Sequence, residues 1–227
     1  MVTRLPDKKE EKKEKSAIAI PKEVTIKGEK KTEQKEETKE NCLNENEYKI
    51  MERKDQGAFS DIFNACLSKN PNDCNYVVKR LPLGQMFENE VAILKRIMTA
   101  TTTGILSRKI IPTFYDSWTC EKYGYIVLEK MEGDLTRGFR HVTKAVDYEK
   151  IFSLLHLLHS LRITSNDMKP ANVVKKGSEF YLIDFGISTD YSQLDDTAML
   201  WTGRNDSTFP EAVADDITSL HSKFRFV

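Results

Sequence analysis

The chain has 227 residues, enough for one large domain or two small lobes, and 39% of them are hydrophobic, enough to build a core. Its 35 basic residues balance 35 acidic ones, so no net field favours nucleic acid or an anionic membrane surface. No apolar run approaches the roughly 18 residues needed to cross a bilayer, and the 31% charged fraction exceeds the globular norm of about 25%, which predicts a solvated segment.

That segment is residues 1–46. Its first forty residues hold twelve Lys/Arg and ten Asp/Glu, in runs such as Lys8-Lys9-Glu10-Glu11-Lys12, with almost no aromatic side chain. Such a stretch buries too little apolar area to offset chain entropy, and a disordered charged tail is predicted. Residues 1–17 show no apolar leader core, so secretion is not expected and a cytoplasmic location, or a nuclear one, is. Cys42, Cys66, Cys74 and Cys120 form no C-x-x-C pair, and in that compartment four reduced thiols are expected. His141, His156, His159 and His221 complete no zinc pattern.

From Glu47 the texture becomes that of a folded domain. Residues 48–52 and 57–63 alternate as strands do, and 76–81 is a β-branched run bounded by Asn and Pro. Residues 86–98 place Val91, Leu94 and Met98 at helical spacing. A loop at 101–104 is followed by two strands, 113–119 and 124–130, and by a connection at 132–134. The second half opens with the strongest helix, 148–160, where Ile151, Leu154, Leu155 and Leu158 recur at three- and four-residue spacing. Residues 172–174 and 180–183 flank a turn with Gly177, the mark of a hairpin. The stretch 189–209 is polar and aperiodic, and a last short helix is expected over 215–224.

Chemistry concentrates on either side of that hairpin. Asn166-Asp167-Met168-Lys169-Pro170-Ala171-Asn172 precedes it and Leu182-Ile183-Asp184-Phe185-Gly186 follows. Phosphoryl transfer needs such a set. A carboxylate and a carboxamide supply hard oxygen ligands to Mg2+, a second carboxylate can deprotonate an attacking hydroxyl, and a Lys can neutralise the transferring group.

These residues resemble the eukaryotic-type Ser/Thr protein kinase family. The D-x-K-P-x-N of Asp167 to Asn172 is similar to its catalytic loop, and Asp184-Phe185-Gly186 to its metal-binding D-F-G. The resemblance covers most of 48–220 and implies an α+β, bilobal kinase-like fold, with a β-rich N-lobe at 47–131 and a truncated α-helical C-lobe at 132–227. It also implies roles. Lys79 corresponds to the strand Lys that meets the α- and β-phosphates and Glu90 to its helix partner, although each alone would be read as a surface charge. Glu129 and Met131 lie in the segment whose backbone meets adenine, with Leu128 behind it and Ile62, Val77 and Val174 as apolar walls.

The chain departs from the family pattern in three places. The phosphate-covering loop, which should read G-x-G-x-x-G, reads Asp55-Gln56-Gly57-Ala58-Phe59-Ser60, so Gly57 alone survives and Asp55 adds an unfavourable charge. Ser165-Asn166 replaces the usual His-Arg, which removes the Arg that clamps a phosphorylated activation loop and leaves Leu94, Phe114 and Phe185 as the internal spine. Phe209-Pro210-Glu211 resembles the motif that closes the activation segment, and Asp216 to Leu220 the start of the large central helix, after which the sequence ends. The resemblance then implies a shortened lobe with exposed apolar surface around Leu220, Phe224 and Phe226, open to a kinase partner or self-association.

The implied activity is ATP- and Mg2+-dependent transfer of the γ-phosphoryl group to a protein Ser or Thr. Asp167 would be the base and Lys169 the charge stabiliser. Lys79 and Glu90 would set the phosphates, and Asn172 and Asp184 would hold the metal. Neither nucleic acid nor membrane is an expected partner. The eroded Gly loop, Ser165-Asn166 and the shortened lobe keep open a pseudokinase-like module that modulates another kinase, and the similar D-F-G segments of short kinase-like folds keep open a small atypical kinase. The compact form is also that of kinases in large DNA viruses.

Overall fold

The computed structural model describes residues 47–56, 60–136, 145–203 and 205–224. The predicted tail at 1–46, together with Cys42, Gly57, His141 and Phe226, lies outside them.

Five strands form one antiparallel sheet in the order β1-β2-β3-β5-β4: β1 (Tyr48–Gln56), β2 (Asp61–Leu67), β3 (Tyr76–Pro82), β4 (Phe114–Cys120) and β5 (Tyr123–Glu129). Strand period sorts β3 into two faces. Val77 and Leu81 pack against the main core, while Val78 joins Tyr48, Ala65, Tyr125 and Val127 in a smaller cluster on the other side. Lys79 shares the face of Val77 and Leu81, and that alternation aims its side chain inward.

Helix α1 (Gln85–Thr102) crosses the sheet between β3 and β4. It buries Phe87, Glu90, Ile93, Leu94, Ile97 and Ala100 on one face, at helical spacing. Gly124 on β5 makes the approach possible, because a Cβ there would lie 2.3 Å from the Phe87 ring. The helix runs past the end expected from the apolar period. The hydroxyls of Thr99, Thr101 and Thr102 bond carbonyls one turn back, and Gly104, at φ 76°, breaks the chain direction.

The second half is built on α2 (Ala145–Ser160), whose Ile151, Leu154, Leu155 and Leu158 are fully buried. A hairpin of β8 (Val173–Lys176) and β9 (Glu179–Leu182) packs on this helix, with β6 (Gly133–Asp134) paired to β8, as the Gly177 turn predicts. Small ladders join β7 (Ile163–Thr164) to β10 (Thr189–Asp190) and β11 (Leu200–Trp201) to β12 (Asp206–Ser207). One core cluster runs from Ile126 and Leu128 in the sheet to Leu158 on α2, Phe180 on β9 and Phe185 after it. The architecture is the expected α+β, bilobal one. Leu94 and Phe185 are buried in that cluster and Phe114 packs against it, as the spine reading requires.

Three expectations need correction. The last helix, α3 (Phe209–Lys223), starts six residues before the expected 215, because Thr208 and Glu211 form a reciprocal capping box and Pro210 occupies its first turn. Leu220 and Phe224 are 0% and 2% exposed, not solvent-facing, since α3 turns that side onto the main core. The cysteines are not all thiols. The β2–β3 connection folds back and brings Cys74 to Cys66, with which it forms a disulfide, and Cys120 is disulfide-bonded as well. No helix among the described residues is long and apolar enough to cross a membrane.

Candidate functional site

A cleft of about 470 Å³ opens between the sheet and the helical half. Ile62, Val77, Lys79, Glu90, Glu129, Met131, Asn172, Val174 and Asp184 all line it, with Asp55 and Ser60 from the loop edge. Every sequence-predicted site residue is therefore at the cleft except three. Asp167 and Lys169 sit beside it, bonded to Asn172 and to each other, and Gly57 is outside the described residues.

β3 delivers Lys79 and α1 delivers Glu90. The ammonium donates to both Glu90 oxygens, at 2.8 and 2.7 Å, and to Asp184 Oδ1 at 2.8 Å. Burial alone would discharge Lys79, but the carboxylates of Glu90 and Asp184 outweigh it and raise its pKa. Burial likewise opposes the charge on Asp184, and Lys79 overrides it and holds that carboxyl below its ordinary range. Asp184 has a left-handed φ of 68°, a conformation that Asp tolerates and that the surrounding bonds must hold.

The facing loop enters through Asn166, also left-handed at φ 61°. Asp167 Oδ2 accepts from Lys169 at 2.5 Å and from the Asn172 amide at 3.1 Å; the same amide donates to Asp167 O at 2.9 Å. These bonds spend the nitrogen of Asn172 and turn its Oδ1 into the atom available to a cation. With the second oxygen of Asp184, that makes a hard-oxygen pair from two loops, a donor set that suits Mg2+.

The segment that the resemblance would set against adenine, Glu129 to Met131, has part of its backbone already bonded within the protein. The Glu129 N–H is spent on Thr113 O at 2.9 Å, and that of Lys130 on Asn75 O at 2.8 Å. Met131, 7% exposed, lines the cleft and has an N–H with no protein acceptor among the described residues. The Glu129 carboxylate turns away to bind Lys109 at 2.5 Å, Thr113 Oγ1 at 2.7 Å and Lys176 at 2.6 Å. Burial works against that charge, but the two ammonium groups and Thr113 win and hold its carboxyl far below the ordinary carboxylate range.

Sequence reading missed the residue that anchors the catalytic loop. Asp216, 1% exposed on α3, accepts the N–H of Ser165 at 2.7 Å and of Asn166 at 2.8 Å, and pairs with His159 Nε2 at 3.0 Å. Asn166 in turn donates to Ile187 O and Thr189 Oγ1, both at 2.7 Å. Where the family pattern would put an Arg to clamp a phosphate, a neutral amide here ties the loop directly to the segment after D-F-G. Arg162 adds bonds to Tyr191 O, Leu194 O and Asp196.

The protein kinase domain model matches residues 48–214, which is more than half of the chain. The chain belongs to the protein kinase family. The dual specificity protein kinase TTK of Mus musculus is 29% identical over 192 residues, covering 78% of this chain and 22% of that protein. The serine/threonine-protein kinase PknA of Nostoc sp. is 29% identical over 164 residues, covering 63% of this chain and 28% of that one. The chain thus spans about a quarter of the length of these curated relatives. The matched kinase region takes in the whole cleft, from β1 through the catalytic loop to the start of α3.

Proposed function

We propose that the chain is an ATP- and Mg2+-dependent Ser/Thr protein kinase with its N-lobe at 47–131 and its C-lobe from 132. The observation that carries the reading is Lys79 held between Glu90 and Asp184 within the cleft, with Asp167 and Asn172 on the facing loop. Glu90 fixes this ammonium at the cleft wall, where a phosphate oxygen can take over the N–H now spent on Asp184.

Adenine lies between Ile62, Val77 and Val174, and its acceptor nitrogen takes the Met131 N–H. Lys79 binds the α- and β-phosphates. Asn172 Oδ1 and Asp184 would hold Mg2+, which would supply positive charge against the phosphate oxygens. The free oxygen of Asp167 orients a substrate Ser or Thr hydroxyl and takes its proton as the oxygen attacks the γ-phosphorus. The bond from that phosphorus to the β-bridging oxygen breaks and ADP leaves, while Lys169 offsets charge on the group in transfer. Asp55 at the cleft edge opposes the triphosphate and lowers nucleotide affinity. The partner implied is a protein substrate.

The test is transfer of labelled γ-phosphate to a generic Ser/Thr-containing protein by the full chain, compared with Asp167→Asn. The variant should lose about 100-fold or more of the rate, the share typical of a general base. A wild-type chain with no transfer and no thermal shift on adding Mg2+ and ATP would overturn the reading.

A further inference from the structure

The residue beside Glu90 takes no part in the machinery described so far. Asn89 sits on α1, half-buried, one position before the carboxylate that grips Lys79. Its side-chain nitrogen donates towards three carbonyl oxygens of the segment that follows Asp184: Phe185 O at 3.1 Å, Gly186 O at 3.1 Å and Ser188 O at 2.8 Å. A carboxamide has two N–H groups, so at least one is shared between two of these acceptors. Three backbone groups of one short stretch thus converge on a single side chain.

The neighbouring contacts make this more than a surface bond. The Phe185 N–H favours the charged form of the neighbouring Glu90 carboxylate, so adjacent side chains of α1 engage the two sides of one residue. Gly186 lies so close to the same helix that a Cβ there would come within 3.2 Å of Met86 Cε. Asp184 itself holds a left-handed φ that the flanking chain must maintain. A shift of α1 would therefore move Glu90 and the segment bearing Asp184 together.

We propose that Asn89 is a positioning residue for phosphoryl transfer, fixing the backbone after Asp184 to α1 so that the Asp184 carboxylate faces the cation and Lys79. This inference rests on the kinase reading above. It acts through Asp184 and not through adenine, because Asn89 is not among the residues that line the cleft. Losing its donor N–H groups should impair use of the metal and leave the base pocket intact.

The test uses the full chain with Asn89→Ala and the isosteric Asn89→Asp, which lacks the donor. Both should lose about tenfold or more of the rate at saturating ATP, as expected for a displaced catalytic group. The Mg2+ concentration for half-maximal rate should rise, adenosine affinity should stay within about twofold of wild type, and amide exchange should quicken across 185–190 but not across 91–100. An unchanged rate or Mg2+ requirement overturns the proposal, as does a fall in adenosine affinity equal to the fall in rate. If the wild-type chain transfers no phosphate, the kinase reading fails instead. The exchange comparison then bears on the tie alone: quicker exchange in 185–190 supports Asn89 as the residue that fixes this backbone to α1, and unchanged exchange overturns it.

Discussion

Removing the Asp216 carboxylate tests how the catalytic loop is held. The group is 1% exposed and accepts two backbone N–H bonds, from Ser165 and Asn166, besides its bond to His159. In Asp216→Ala both backbone donors lose their acceptor while still packed under α3. An orphaned buried donor costs about 1–3 kcal/mol, and a bond to a charged group stands at the upper end of the range for bonds made. Two such donors and the His159 contact give about 3–6 kcal/mol, a large part of the 5–15 kcal/mol typical of a domain. Asp216→Asn keeps one acceptor oxygen and should lose about half as much, so it stays measurable if the Ala variant fails to fold. Urea unfolding followed by the fluorescence of Trp118 and Trp201 should rank wild type, Asn and Ala in that order, with unchanged slope. An Ala variant within about 1 kcal/mol of wild type would show that the loop does not depend on this carboxylate.

Two further outcomes concern residues outside the catalytic set. Glu129→Gln should cost about 1–2 kcal/mol at neutral pH, a modest figure because Lys109 and Lys176 are partly solvated. The folded-state pKa of Glu129 lies below its unfolded value, so the wild-type advantage is full above the unfolded pKa of about 4.3 and is lost as pH falls through the folded value. Denaturation series at pH 7, 5 and 3 check this; an advantage that instead grows towards pH 3 contradicts the assignment. Replacing Cys66 and Cys74 together by Ala and Ser opens a loop of sequence separation 8, which chain entropy values at about 2.5 kcal/mol. An unchanged denaturant midpoint would mean that the bridge contributes nothing.

What the sequence made legible was local, and what it hid was not. Asp167, Asn172 and Asp184 stand on two short loops around a hairpin whose turn glycine is visible, so their meeting follows from chain geometry over a few residues. The pairing of Lys79 with Glu90 was legible only through the family resemblance, because a Lys and a Glu eleven positions apart, on a strand and a helix, carry no periodic signal of their own. Asp216 was missed because its acceptor role depends on backbone groups about fifty residues upstream. Asn89 was missed for the same reason: its three acceptors lie about a hundred residues downstream.

The start of α3 is a different kind of miss, since Thr208-x-x-Glu211 is a readable capping box, and the aperiodic stretch before it drew the boundary too late. The expectation about Leu220 and Phe224 failed because it followed from where the sequence ends and not from their spacing. Leu220, four residues after Asp216, shares its face of α3, Phe224 follows just past the helix end, and a face that carries the anchor of the catalytic loop has to be turned inward. The carboxylate that holds Ser165 and Asn166 and the apolar residues that close the core below them are therefore one device, which is why the position of α3 and the geometry of Asp167 should respond together to substitutions at either.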